Sequence, residues 1–115
     1  MISNQHELLE LAPIKNMVGT KQKEHGVSWG LSEAGYDIRI KQDVIFKPAA
    51  NTVATKWMDN GKQFGIWDYG RFTLASAIEE FDMPDCLVGI VHDKSTWARK
   101  GLSVFNTVIE PGFKG

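Results

Sequence analysis

Cysteine is almost absent from the chain: Cys86 is the single one, so no intrachain disulfide can form. Its neighbours Pro84, Asp85 and Leu87 bring no activating cation, and the thiol reads as buried or inert in a reducing, cytoplasmic setting. The same scarcity excludes a zinc centre built on paired cysteines. Excess charge is lacking too. Thirteen basic and fourteen acidic residues leave a net charge of −1, which argues against a protein that holds long nucleic acid by neutralising many phosphates. A small anion remains compatible, because a few placed cations suffice for it. No apolar run approaches the roughly 20 residues of a membrane helix, and the stretch from Met1 to Gly19 has neither the cationic start nor the apolar core of a signal peptide. Neither Gly-x-x-x-x-Gly-Lys nor Gly-x-Gly-x-x-Gly occurs. His6, His25 and His92 are scattered and read as surface or structural residues. Trp29, Trp57, Trp67 and Trp97 lack interleaved basic residues and read as core or interface rather than a stacking platform.

What is present fits a single domain over residues 1–115, with 43% hydrophobic residues to fill one core. His6 to Ala12 predicts a short helix, with Asn4 as N-cap, Glu7 in the capping-box position and Pro13 as the stop. From Ile14 to Ser32 the text is polar and punctuated by Gly19, Gly26 and Gly30, and reads as a long surface segment with little regular structure; residues 1–32 as a whole stay poorly assigned. Tyr36 to Phe46 alternates as a strand whose phase flips near Asp43, which predicts a bulge or burial on both faces there. A Pro-containing turn at Lys47 to Asn51, a strand at Thr52 to Met58 and a turn at Asp59-Asn60-Gly61 follow. Gln63 to Trp67 and Arg71 to Ile78 read as strands separated by Asp68-Tyr69-Gly70, and Glu79 to Asp85 as a connector. Cys86 to Val91 is an apolar run of strand length that suggests cover on both faces, and Leu102 to Ile109 is the last strand. The sum is a mostly β domain of sandwich or barrel type with a short N-terminal helix.

Chemistry concentrates between Asp93 and Gly115. One helical turn near Thr96 to Lys100 would put Ser95 and Arg99 on the same side, the hydroxyl and the guanidinium fork both able to receive phosphate oxygens. An ordinary capped turn with a solvated arginine has the same letters. Glu110, between an apolar strand and a Pro111-Gly112 turn, can accept from a sugar hydroxyl or orient a water; it also suits a plain solvated carboxylate. Asp37 and Arg39 share a strand face, where they can pair with each other or simply form its polar side.

Three stretches together carry a family resemblance. SWGLSEAGYDIRI, EEFDMPDCLVGIVHDKSTWARKGL and VFNTVIEPGFKG, in this order, resemble the dCTP deaminase branch of the dUTPase-like superfamily. The resemblance implies a dUTPase-like distorted jelly-roll or barrel subunit, here incomplete, assembling as a homotrimer with sites between subunits. It implies dCTP, or dUTP, as ligand, with Mg²⁺ riding on the triphosphate and no zinc. Carried over by position, Ser95 and Arg99 match triphosphate-binding residues, with Lys94 and Thr96 flanking them. Asn106, Thr107 and Ile109 match the segment that contacts base and deoxyribose, and Glu110 matches the acidic position that orients water in the dUTPase branch. Tyr36, Asp37, Arg39, Pro111 and Gly112 match structural motif positions. The reaction implied is dCTP plus water to dUTP plus ammonia without zinc. The alternatives are dUTP hydrolysis to dUMP and pyrophosphate, or a non-catalytic nucleotide-binding module. The family's general acid/base glutamate and its closing strands are expected beyond Gly115, so the chain resembles a C-terminally truncated member.

Overall fold

The computed structural model describes residues 3–59 and 62–115, the side chains of 58, 59 and 62–69 excepted. Helix α1 (Gln5–Leu11) begins where the side chain of Asn4 accepts from the Glu7 N–H at 2.9 Å. It ends at Ala12, whose left-handed backbone (φ 46°) returns its N–H to Leu8 O at 2.9 Å, just before Pro13. The sequence signals for this helix are therefore met within a residue at each end.

The stretch expected to be irregular contains a β-hairpin instead. Strand β1 (Lys21–Glu24) pairs antiparallel with β2 (Val27–Leu31), and the loop between them is His25-Gly26, both at positive φ (52° and 76°). Positive φ at both residues of a two-residue loop matches the right-handed twist of the flanking strands, and a glycine in the second place makes it cheap. Every residue of β1 is exposed, so no apolar alternation marked the strand in the sequence. Strand β3 (Tyr36–Asp37) adds to β2 through the Ser32–Gly35 turn, where Ser32 N–H donates to Gly35 O at 2.9 Å.

The predicted long strand over Tyr36 to Phe46 is interrupted rather than bulged. After Asp37 the backbone changes partner: Ile78 N–H donates to Arg39 O and Lys41 N–H to Ser76 O, each at 2.8 Å, with a bridge between Ile40 and Ala77. Gln42 closes this pairing with its side chain, accepting from Ser76 N–H and donating to the Ser76 hydroxyl, both at 2.8 Å. The chain then re-enters regular structure as β4 (Asp43–Lys47), turns through a 3-10 segment at Pro48–Ala50, and continues as β5 (Thr52–Asp59) and β6 (Lys62–Gly70) in an antiparallel β4-β5-β6 sheet. The centre of the predicted Asp59-Asn60-Gly61 turn lies outside the described residues. Asp68 to Gly70, expected as a turn, is the end of β6. Residues 71–78, expected as a strand, are irregular, since their backbone groups bond to the Gln42 and Thr55 side chains and to the 39–41 backbone rather than to a regular ladder.

The connector expected at Glu79 to Asp85 is a seam. Lys15 N–H donates to Glu80 O and Asp82 N–H to Pro13 O on one side, while Met83 N–H donates to Phe113 O on the other, all at 2.8 Å. The described core lies around this seam and β5: Ile14, Leu31, Val53, Ala54 and Met83 are its buried apolar side chains. The apolar run at Cys86 to Val91 is regular only as β7 (Gly89–Val91), and the run at Leu102 to Ile109 only as β8 (Thr107–Ile109). Neither is covered on both faces within the described residues, since Ile90 is 61% and Val108 50% exposed; Cys86, expected as buried or inert, is also exposed. The observed class is mostly β with a short N-terminal helix, as the sequence indicates.

Buried hydroxyl chemistry fixes the middle sheet. Thr55 Oγ1, on β5, accepts from Trp57 Nε1–H at 2.8 Å, donates to Leu74 O at 2.8 Å and lies 3.0 Å from Thr73 Oγ1. Replacing it by the isosteric Thr55→Val removes, at a residue only 1% exposed, both the donor to Leu74 O and the acceptor of the Trp57 N–H, a loss of about 2 kcal/mol in urea unfolding. Thr55→Ser, which keeps the oxygen, is expected to lose less than half as much. Gly30→Ala is expected to be of similar severity to Thr55→Val, because a Cβ there meets Thr20 O at 2.9 Å on a backbone at φ +98°.

Candidate nucleotide site

Two short elements position the site. Strands β7 and β8 pair as Val91↔Thr107, Ile90↔Val108 and Gly89↔Ile109. The chain leaves β7 at the Val91 end, runs through His92 to Lys94 and forms helix α2 (Ser95–Ala98); it re-enters at Thr107 after Asn106. The α2 turn and the Asn106-Thr107 pair therefore depart from one end of the ribbon. Ile109 and Glu110 sit at the other end, roughly 10 Å further along the strand direction.

The α2 turn has a defined internal geometry. Ser95 and Arg99 are joined by an Arg99 N–H to Ser95 O bond at 3.0 Å and both are exposed, as the four-residue spacing requires. The turn closes with Gly101 at φ 97°, where Gly101 N–H reaches Ala98 O and Leu102 N–H reaches Trp97 O, each at 3.0 Å. That pair of bonds is a Schellman closure, which needs the left-handed residue that glycine supplies. Lys100 places its ammonium 5.1 Å from the centre of the Trp97 ring.

Asp93 ties the loop shut. Its carboxylate accepts from Val104 N–H at 2.7 Å and from the Ser103 hydroxyl at 2.9 and 3.1 Å, so residues 93–104 form a closed ring that carries Lys94, Ser95, Thr96 and Arg99. Taking the Val104 N–H in this way is also why the predicted strand does not start at Leu102. Lys94 bridges to the N-terminal sheet: its Nζ donates to Asp37 Oδ2 at 2.8 Å and to Ser28 Oγ at 3.2 Å. Asp37 and Arg39, which could have paired with each other, take different partners. Arg39 binds Glu79 through Nε–H to Oε1 and through its own backbone N–H to Oε2, both at 2.9 Å, with Nη1 3.7 Å from Glu24. Its guanidinium lies 3.6 Å from the centre of the Trp29 ring. Tyr36 accepts the Val18 N–H on its hydroxyl at 3.3 Å, a bracing contact.

At the far end, Glu110 is exposed and its carbonyl accepts from Phe113 N–H at 3.1 Å across the Pro111-Gly112 turn. Gly112 is required there: it sits at φ 79°, and a Cβ would meet Asp85 Oδ1 at 3.1 Å. Of the residues singled out from sequence, the fold thus groups Lys94, Ser95, Thr96, Arg99, Asn106 and Thr107, and sets Ile109 and Glu110 apart within one chain. Sequence reasoning missed Glu79, Ser28, Ser103 and the carboxylate role of Asp93. An acidic residue or a serine in a polar stretch carries no periodic signal.

Residues 19–115 match a family model described as dCTP deaminase-like. Among curated relatives, the dCTP deaminase of Campylobacter jejuni (strain RM1221) is 40% identical over 99 residues, 77% of this chain and 52% of that protein. The dCTP deaminase of Campylobacter curvus is 39% identical with the same coverage. That of Rhodospirillum centenum is 36% identical over 92% of this chain and 64% of its own length. The chain spans about half the length of the first two of these relatives.

The Asp93 closure generates a pH prediction. Accepting from the Val104 N–H, then from the Ser103 hydroxyl, holds the Asp93 carboxyl below its ordinary value, helped slightly by His92 and opposed slightly by desolvation. A pKa depressed in the folded state means that the closure is intact above the unfolded value and is lost as pH falls through the folded one. The Val104 amide proton is expected to hold its NMR shift as pH drops through about 3.9, where a free aspartate titrates, and to move only below it. A midpoint at or above that value, or the same profile in Asp93→Asn, speaks against the closure.

Proposed function

The chain belongs to the dCTP deaminase-like family, and from that membership we propose that it holds the phosphates and sugar of a pyrimidine deoxynucleoside triphosphate, dCTP foremost, for conversion with water to dUTP and ammonia. The observation that carries this reading is the common departure of the α2 turn and of Asn106-Thr107 from one end of the β7–β8 ribbon. Exposed Ser95 and Arg99 supply a hydroxyl and a planar fork of donors for phosphate oxygens. Asn106 and Thr107, next along the surface, supply amide, hydroxyl and backbone groups to a sugar and base.

Mg²⁺ enters with the triphosphate and needs no dedicated protein cage; among the described residues no group of three His, Cys, Asp or Glu is gathered for a metal. Water attack on the cytosine ring without zinc needs a carboxylate to move protons. On this reading Ser95, Arg99, Asn106 and Thr107 contribute grip and orientation to that step. A homotrimer with sites between subunits belongs to the same proposal, and the exposed side chains of Ile90, Val108 and Phe105 offer apolar surface for a neighbouring copy. Hydrolysis of dUTP with Glu110 orienting water would need Glu110 of one copy to meet α2 of another, since within one chain Glu110 follows the other end of β8 from α2.

Calorimetry with dCTP and Mg²⁺ is expected to show binding, weakened about tenfold or more by Arg99→Ala through loss of charge-assisted hydrogen bonds, and less by Ser95→Ala. Ammonia release from dCTP is the product expected of this reading. Pyrophosphate release from dUTP instead establishes the hydrolase reading, and binding without either product leaves a nucleotide-binding module.

A further inference from the structure

Lys94 adjoins Ser95 and carries a positive charge, so its sequence position suggests a third hand on the phosphates. Its surroundings say otherwise. The Lys94 side chain is only 25% exposed, and its ammonium is engaged by Asp37 Oδ2 at 2.8 Å and Ser28 Oγ at 3.2 Å. Both oxygens belong to the N-terminal sheet: Ser28 and Gly30 are two apart on β2, and Asp37 on β3 stands opposite Gly30, so the acceptors lie on one diagonal of that sheet. The Asp37 side chain is itself 28% exposed, which strengthens the pair relative to one in open water. Lys94 is also the residue from which α2 springs, since its carbonyl accepts the Trp97 and Ala98 N–H groups at 3.0 and 2.9 Å. One residue therefore grips the N-terminal sheet with its side chain and starts the α2 turn with its backbone, while Asp93 beside it fastens the far end of the loop at Val104.

We propose that Lys94 is a positioning residue: through Asp37 and Ser28 it sets the Ser95–Arg99 turn against β2 and β3, and it does not itself bind the nucleotide's phosphates. This rests on the function proposed above, yet it can be tested apart from it. The two roles make opposite predictions for Asp37→Asn. If Lys94 were a phosphate ligand, removing the competing carboxylate would leave dCTP binding unchanged or tighten it. As a strut, it is loosened by the loss of either partner.

The experiment uses the 115-residue chain and compares wild type with Asp37→Asn, Lys94→Met, the double variant and Lys94→Arg. Backbone amide exchange of Ala98, Arg99 and Gly101 is read without ligand, and dCTP and deoxycytidine affinities are read by calorimetry. Exchange at these amides is expected to accelerate about fivefold, the upper range for one partly exposed ion pair, in Asp37→Asn and Lys94→Met alike. The double variant should add little to either, because both remove one interaction. Affinity for dCTP should fall by a similar factor while that for deoxycytidine, which lacks phosphates, stays level; Lys94→Arg, which can still reach Asp37, should keep most of both. Unchanged exchange in Asp37→Asn, additive effects in the double variant, or tighter dCTP binding without Asp37 each overturn the proposal. Loosening of the turn in the variants, with a wild type that binds no dCTP, would instead retain the strut and remove the nucleotide function.

Discussion

A nearly buried carboxylate, that of Glu79, receives two donors from the same residue and thereby fixes where three stretches of chain meet. Arg39 gives it both the backbone N–H and the guanidinium Nε–H, and the Arg39 guanidinium in turn sits over the Trp29 ring of β2. With its side chain 4% exposed, Glu79 has given up nearly all of its water, so its lone pairs must be met by protein. A planar guanidinium can meet them along one edge while keeping its face for the indole. Everything downstream inherits the result. Because Arg39 is held, the backbone at 39–41 pairs with 76–78, and because Glu79 is held, residues 80–83 run as the seam between Pro13-Lys15 and Phe113.

The same clamp decides which neighbour Asp37 can serve. Arg39, two residues along, is already committed to Glu79, so the Asp37 carboxylate turns to Lys94, which lies 57 positions further on in sequence. The first motif thus acts as a fork in the wiring, with one arm stabilising the seam and the other reaching the loop that bears Ser95 and Arg99. A motif that looks structural by its letters is in this way connected to the loop carrying Ser95 and Arg99 through a single pair of charges.

Legibility in the sequence followed burial and local chemistry. The Asn4 cap, the Pro48 turn and β5 were readable because each rests on contacts within a few residues. The β1–β2 hairpin was not, since a fully exposed strand reads as polar text, and its one local clue was Gly26 after His25. Apolar runs at Cys86 to Val91 and Leu102 to Ile109 promised longer strands than β7 and β8. The difference arises at Asp93, whose carboxylate competes for a backbone N–H that a ladder would have used. At the candidate site, spacing alone placed Ser95 and Arg99 on one side of a turn. The Glu79 partner of Arg39 and the Asp37 and Ser28 partners of Lys94 were invisible because they lie 40 or more positions away in sequence.

Strand β1 has a consequence for assembly. It is the outer member of its sheet, and its sequence, Lys-Gln-Lys-Glu, lines an unpaired row of backbone groups with charge. An incoming strand would have to strip water from ammonium and carboxylate groups to dock there, so this margin repels sheet extension. The β7–β8 ribbon carries no such guard, with Ile90 and Val108 side by side and bare. The two margins therefore differ in character: one rim is charged, and the apolar one belongs to the ribbon from which the Ser95–Arg99 turn also departs.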